Sequence, residues 1–199
     1  MIQFRYRIKQ RKMCPFHLIS QLDIARLWDR TLRRSGIPIL YSQGFNPRPL
    51  LSFGPATPLG VESRAEYLEI FLREEIPGLQ LQEELNRYFP EELRVEEITI
   101  LSPQRPSLTQ EIKGIFYAFS FYGVFFWNDI SLPEGIEMKN AYQKENSFWV
   151  WFFFHDQKAF FSPLKFSVFL EENHGYPFPD RIIKEGVLFK QEGERRVSC

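Results

Sequence analysis

The stretch Phe4-Arg5-Tyr6-Arg7-Ile8-Lys9 decides how the first half of this chain folds. Apolar side chains at positions 4, 6 and 8 alternate with basic side chains at 5, 7 and 9, which is the period of a strand with one buried face. The pattern predicts an N-terminal strand over residues 3–9. Its three cations are then expected on the sheet face opposite the helices.

The rest of the first half continues with alternating helix and strand signals. Ser20 is a typical helix N-cap, and apolar residues recur at helical spacing from position 22 until Gly36. The remaining patterns indicate a second strand over 37–42, continued over 50–53 after the prolines, further strands over 66–73 and 94–101, and a short amphipathic helix over 79–88. The order β-α-β-β-α-β predicts the ferredoxin-like split motif.

The second half is more aromatic and repeats this order in a degenerate form. The patterns predict strands over 116–121, 137–142, 148–155 and 181–190, and a helix from Ser162-Pro163 to Gly175. Residues 148–155 are apolar on both faces, so this strand is expected in the middle of a sheet. Residues 124–135 are too short and too rich in Pro and Gly to predict the missing helix.

These patterns predict an α+β protein of two ferredoxin-like halves, with antiparallel sheets and helices on one face. Residues 103–107 read as a linker, which gives a first domain over 1–102 and a degenerate, aromatic-rich half over 103–199.

The composition excludes several classes of protein. The two cysteines, Cys14 and Cys199, lie far apart in the sequence, so neither a disulfide framework nor a paired-cysteine metal site is expected. The N-terminus has no apolar signal core, and no window has the length of a membrane span. We expect a cytoplasmic protein that is not bound to a membrane, with no metal and no cofactor. No catalytic set of residues is identified.

The net charge of zero conceals a marked asymmetry along the chain. Residues 1–55 contain ten Lys/Arg and two Asp, which gives 10 − 2 = +8, whereas residues 56–102 contain four Arg and eleven Glu, which gives 4 − 11 = −7. Such an asymmetry indicates either a nucleic-acid face or two segments that pair with each other.

The loop Ser42-Gln43-Gly44-Phe45-Asn46-Pro47-Arg48-Pro49 is built from residues that restrict or permit particular backbone angles. One interpretation is a recognition edge, with amides at Gln43 and Asn46, a stacking ring at Phe45 and an anion clamp at Arg48. The alternative is a hairpin connection in which Phe45 enters the core and Asn46 caps a turn.

Arginines also line the outer face of the predicted first helix. They can meet phosphates or an acidic partner, or they can simply be solvated. The candidate binding residues are Arg26, Arg30, Arg33, Arg34, Gln43, Phe45, Asn46 and Arg48.

The cations of the first strand allow two further interpretations. With Tyr67 and Phe71 from the third strand, Arg5 and Arg7 could form an RNA-binding sheet face. Alternatively, Glu69 forms a cross-strand ion pair with these arginines and the second half covers the face. We prefer the second interpretation, because an exposed Phe71 would otherwise be unexplained.

Several spaced motifs within residues 2–72 closely resemble the radical-SAM-linked domain family of unknown function. The motifs are Leu18-Ile19-Ser20-Gln21-Leu22-Asp23, Arg33-Arg34, the 41–49 loop, Ser52-Phe53, Pro58-Leu59-Gly60-Val61-Glu62-Ser63 and Glu66-Tyr67-Leu68. The resemblance implies a radical-SAM protein as partner and assigns no activity. The chain departs from the family pattern at Gln21 and Arg48, where histidine is usual, and at Leu50, where lysine is usual.

Three classes of function follow from these features. The leading hypothesis is a non-catalytic module that binds RNA or a ribonucleoprotein and assists a radical-SAM partner. The second is a protein–protein adaptor that docks only on the radical-SAM protein. The third is a metal-independent endoribonuclease, against which the scattered histidines at 17, 155 and 174 argue.

Overall fold

The computed structural model of the chain describes residues 3–102, 104–123, 130–155 and 162–190. Within these residues the chain forms a mixed α+β fold. The strands are β1 (Phe4–Lys12), β2 (Leu51–Phe53), β3 (Glu62–Leu72), β4 (Val95–Leu101), β5 (Ile112–Tyr122), β6 (Ile136–Lys144), β7 (Ser147–His155) and β8 (Arg181–Phe189). The helices are α1 (Gln21–Arg34), α2 (Gly78–Asn86), α3 (Leu108–Glu111) and α4 (Pro163–His174). None of these helices is long and apolar enough to cross a membrane.

All eight strands belong to one sheet, in which the order is β4-β1-β3-β8-β5-β7-β6 and β2 also pairs with β3. Neighbours are antiparallel except at the centre, where Glu62 and Ser63 of β3 pair in parallel with Ile183 and Lys184 of β8. The predicted α+β class is confirmed, and β7 lies between β5 and β6 as its two-sided apolar pattern indicates. The parallel pair differs from the expectation of separate antiparallel sheets, because the start of β3 extends past β2 and offers β8 a free edge.

Helices α1, α2 and α4 pack on the same face of the sheet. Tyr6 and Ile8 of β1 form one core with α1 and α2, and Phe119 of β5 forms a second core with Phe166 of α4. The Lys184 ammonium, on the α4 side of β8, lies 3.3 Å from a Glu66 carboxylate oxygen on the α1 side of β3, which places the two cores on one face. Helix α3 departs from the predicted single layer, because its Glu111 reaches Arg7 on the opposite face.

Three local expectations differ from the structure. Residues 37–42 form only the isolated bridges Ile39–Leu72 and Tyr41–Pro49, since the neighbouring prolines lack the N–H that a ladder requires. The predicted linker leads instead into α3, which Ser107 begins with a capping box. Tyr88, the last residue of the helix predicted over 79–88, lies beyond the end of α2, is 38% exposed and donates a hydrogen bond to the carbonyl of Arg34. Of the segment 124–135, residues 124–129 lie outside the described residues.

The sheet face opposite α1 is closed by ion pairs over β1 and β3. The Glu69 carboxylate, 1% exposed, accepts hydrogen bonds from Arg5 at 2.7 and 2.9 Å and from Arg7 at 2.8 and 3.1 Å. Arg7 also donates to Glu111 at 2.6 Å, and Glu111 accepts from Arg105 at 2.7 Å. The cross-strand interpretation of these arginines is confirmed, and the second half covers this part of the face. An RNA-binding surface at Arg5 and Arg7 is therefore ruled out.

Replacing Glu69 with glutamine is expected to destabilise the fold by about 3–5 kcal/mol, because two buried guanidinium groups lose their shared carboxylate. Chemical denaturation of the Glu69→Gln variant measures this change. The control is Glu185→Gln, which removes an exposed ion pair with Arg64 at 3.3 Å and is expected to cost less than about 1 kcal/mol. Equal costs for the two variants would contradict the central place of Glu69.

Candidate anion-binding site

One face of helix α1 packs against the core, so the arginines on its other face are exposed to solvent. Trp28 is fully buried, donates its indole N–H to the Gln10 side chain at 3.0 Å and packs on Phe89 at a centroid distance of 4.7 Å. Ile24 and Leu32 are buried on the same face. Because these residues fix the rotation of the helix, positions 26, 30 and 33 face solvent.

The N-terminus of α1 is capped as its sequence predicts. The Ser20 hydroxyl accepts a hydrogen bond from the Asp23 amide at 3.1 Å and donates one to the Asp23 carboxylate at 2.7 Å. This hydrogen bond, together with the charges of Arg26 and Arg30, holds the pKa of Asp23 below its usual value. Asp23 is therefore ionised, and its carboxylate forms an ion pair with the Arg26 guanidinium at 3.1 Å.

The proline-rich loop is closed on itself and tied to α1. The Ser42 amide donates to the Arg48 carbonyl at 2.8 Å, and the Arg48 amide donates to the Ser42 hydroxyl at 3.0 Å. Gly44 has a φ of +132°, which other residues rarely adopt. Arg33 of α1 donates to the Pro47 carbonyl at 2.9 Å and lies over the Tyr41 ring at 5.3 Å. The loop is thus held at a fixed position beside the helix.

A cleft of about 550 Å³ lies between α1 and this loop. We call it the arginine cleft; its lining residues are Leu22, Ala25, Arg26, Asp29, Arg30, Arg33, Arg48, Pro49 and Leu51. Four arginines and one aspartate give the lining a formal charge of 4 − 1 = +3. Its size and charge suit a ligand that carries several anionic groups.

The arginines of the cleft divide into two kinds. Arg26 is paired with Asp23, and Arg33 is paired with Asp29 at 3.0 and 3.1 Å. Arg30 and Arg48 are exposed, and within the described parts of the chain neither forms a side-chain hydrogen bond or an ion pair. Two guanidinium groups from different elements therefore face one cleft without forming an ion pair within the described residues.

The remaining candidate binding residues lie outside the cleft lining. Arg34 is exposed but, one residue after Arg33, is rotated by about 100° around the helix axis and belongs to another face. Gln43, Phe45 and Asn46 are exposed at the tip of the loop, and Phe45 is fully exposed. The alternative in which Phe45 enters the core is therefore wrong.

A buried cationic cluster beneath the neighbouring segment 54–60 is absent from the sequence-based candidates. Lys12 and Lys184 are 2% and 1% exposed, and their ammonium groups donate to the carbonyls of Thr57 and Pro55, each at 3.3 Å. Glu66 lies between them and also accepts a hydrogen bond from the Thr57 hydroxyl. The alternation of β1, continued past Lys9, puts Lys12 in phase with Tyr6 and Ile8, which is the signal that could have revealed it.

The cluster shifts the pKa values of its members. Burial would raise the pKa of Glu66, but Lys184, the hydroxyls of Ser63 and Thr57, and Lys12 together hold it below its usual value. Burial lowers the pKa of Lys12, which Glu66 partly restores. The carboxylate of Glu66 is therefore the group that keeps two buried ammonium groups in place.

Acid is expected to destabilise the protein partly through Glu66. Because its folded-state pKa lies below its ordinary value of 4.5, its contribution is complete above that pH and is lost as the pH falls through the folded-state pKa. The free energy of unfolding of Glu66→Gln, measured from pH 7 to pH 3, should decline less steeply with acid than that of the parent protein. Glu74→Gln, at an exposed position, should decline like the parent; parallel curves for all three proteins would contradict the assignment.

Arg33→Lys is expected to loosen the loop while keeping the charge, because an ammonium cannot reproduce the planar fork that bonds both Asp29 and the Pro47 carbonyl. Amide hydrogen exchange at Ser42 and Arg48 should accelerate roughly tenfold, which corresponds to one lost hydrogen bond of typical strength. Arg34→Lys is the matched control. Unchanged exchange in Arg33→Lys would show that Arg33 does not hold the loop.

A protein-family model described as "Uncharacterized protein conserved in bacteria (DUF2344)" matches residues 5–151, which include the arginine cleft. This finding supports the expected domain of unknown function, whereas the link to radical-SAM proteins stays a prediction. No protein among the curated ones matches the chain.

Proposed function

The chain belongs to this family of uncharacterized bacterial proteins, and from that premise we propose that it is an accessory module that binds RNA through the arginine cleft. One observation carries the proposal. Arg30 on α1 and Arg48 on the fixed loop converge on one cleft, and within the described residues neither forms an ion pair. Guanidinium groups in such a position bind phosphate oxygens bidentately.

The surroundings of the cleft favour RNA over an isolated small anion. A lining charge of +3 is suited to several successive phosphates. The loop tip beside the cleft exposes the Phe45 ring and the amides of Gln43 and Asn46, which are the groups that stack on unpaired bases and bond their edges. A ribonucleoprotein would offer the same phosphates and bases.

The pairing order supports two ferredoxin-like halves as the scaffold of this module. The strands of the first half follow the order β4-β1-β3-β2, and those of the second half follow β8-β5-β7-β6. In each half the first and third strands are central, which is the arrangement of the split β-α-β motif. The two matching orders support the proposal that the second half is a degenerate copy of the first.

We propose that this module assists a radical-SAM protein, because the motifs within residues 2–72 resemble those of the radical-SAM-linked domain family. An iron–sulfur cluster of that class requires about three closely spaced thiolates. The chain contains Cys14 and Cys199 alone, so the radical chemistry belongs to the partner.

The double variant Arg30→Ala/Arg48→Ala tests the cleft. It removes two candidate phosphate contacts, so affinity for mixed cellular RNA at low salt should fall roughly tenfold or more. The dependence of log K on log salt should become shallower by about 1.4, since each contact to a single strand contributes about 0.7.

The matched control is Arg34→Ala/Arg73→Ala, which removes two exposed arginines outside the cleft lining. Its affinity and salt slope should stay close to those of the parent protein. Absent RNA binding, or equal losses in both double variants, would refute the proposal.

An adaptor function is the second candidate, and exposed leucines at one end of the cleft favour it. Leu22 lines the cleft and is 61% exposed, and Leu18 and Leu59 are 64% and 57% exposed. The Gly60 amide donates to the His17 carbonyl at 3.0 Å, which brings the last two leucines near each other. Co-purification with the radical-SAM protein without nucleic acid would support this function, and failure to associate would exclude it.

An endoribonuclease is the third candidate, and the placement of the histidines does not favour it. His155 pairs with Glu137, whereas His174 lies 3.3 Å from the Ser131 carbonyl and His17 lies in the first half. Incubation of labelled RNA with the protein in chelator tests cleavage directly, and uncut RNA would exclude this activity.

A further inference from the structure

The sheet face opposite α4 carries a set of aromatic rings that the arginine cleft does not use. We call this set the aromatic platform; it consists of Tyr122 on β5, Tyr142 on β6, and Trp149 and Trp151 on β7. Tyr122 and Tyr142 are 69% and 44% exposed, and both tryptophans are half-buried. The two tyrosines are therefore the more exposed rings of the platform.

The strand alternation explains why the rings face outward. Val150 and Phe152 point into the core with Phe166 of α4, so Trp149 and Trp151 point to the other side of β7. Their partners on β5 are Ser120 and Ala118, which are small and buried. The small partners leave room for the two indoles to lie over the sheet.

The rings pack on one another, so a base can stack only on the ring faces that the neighbouring rings leave open. Tyr142 and Trp151 are stacked, with centroids 5.1 Å apart and planes at 25°, and Trp149 and Trp151 are 6.0 Å apart with planes at 30°. Residues two apart on a strand repeat about every 6.8 Å, which is comparable to the step between nucleotides of an extended single strand.

Cations and unused donors surround the platform. Arg181 lies 6.0 Å from the Trp149 ring, and Lys139 lies 5.5 Å from the ring of Phe153, the next outward residue of β7. Each cation is anchored by a carboxylate, Glu62 or Glu137, which holds it at the border of the rings. In the described part of the chain, the hydroxyls of the platform tyrosines and the indole N–H groups form no hydrogen bond, so they are free for base edges.

We propose that the aromatic platform is a base-stacking site for single-stranded RNA. The inference rests on the proposed RNA-binding function and specifies the kind of RNA, since only unpaired bases can lie on the rings. Arg181 and Lys139 are each paired with a carboxylate, so the platform is expected to add affinity by stacking rather than by phosphate contacts. The platform adds affinity without reading sequence, because every base has a π face.

The test compares two probes, an oligouridine RNA of about 12 nucleotides and an abasic ribose-phosphate strand of the same length. Trp151→Ala should weaken oligouridine binding roughly tenfold, leave abasic binding unchanged and keep the salt slope of the parent. Trp151→Phe, which retains a ring, should restore most of the affinity. Oligouridine should also quench the tryptophan fluorescence of the parent protein more than that of Trp151→Ala.

Two sets of variants separate platform effects from loss of folding. Tyr142→Ala and Tyr122→Ala alter exposed rings and are expected to melt like the parent, yet to weaken oligouridine binding. Tyr88→Ala removes an exposed tyrosine of the first half and should leave binding unchanged.

The outcomes distinguish the platform from the cleft. Equal affinity of the parent for both probes, with binding still sensitive to Arg30→Ala/Arg48→Ala, would overturn the platform and leave the cleft intact. Absence of binding to either probe would overturn both. A dimer that Trp151→Ala converts to a monomer, without any change in RNA affinity, would overturn the platform in favour of contact between two copies of the chain.

Discussion

The carboxylate of Glu69 is the interaction on which the arrangement of the two halves depends. It is almost completely buried and is shared by Arg5 and Arg7, and Arg7 also pairs with Glu111 at the end of α3. Buried guanidinium groups without a carboxylate would be costly, so the segment that leads into β5 has to return to this face of the first half. The network therefore covers the helix-free face of the sheet over β1 and β3, whereas the aromatic platform lies on the same face over β5, β6 and β7.

This network also explains how a neutral chain keeps a basic surface. The cations of β1 are matched by acids of the following segment, through Glu69 in the interior and through Glu91 and Glu96 at the surface. The arginines of α1 and the loop are matched only in part, by two aspartates on the same helix. The cations of the +8 segment thus fall into two groups: those of β1 pair with carboxylates, and some of those in α1 and the loop remain open at the cleft.

The sequence was sufficient for features that local chemistry determines. Ser20 begins α1 and Gly175 ends α4, as their backbone preferences predict. The alternation in β1 and β3 correctly separated the apolar residues that face the helices from the charged residues Arg5, Arg7 and Glu69 on the other face. Long-range pairing was not accessible in this way, because nothing local indicates that Ser63 would lie beside Lys184. The sequence grouped Arg30 and Arg48 as candidate anion-binding residues, but the cleft that they line follows only from the tertiary structure.

The central position of β8 has a consequence for synthesis on the ribosome. This strand lies between β3 and β5, yet it is translated after all the other strands of the sheet. Until it emerges, β3 and β5 each retain a free edge, and the aromatic strands of the second half are already present. The nascent chain is therefore exposed to intermolecular strand pairing late in translation, when a chaperone or an early-bound partner would protect it most.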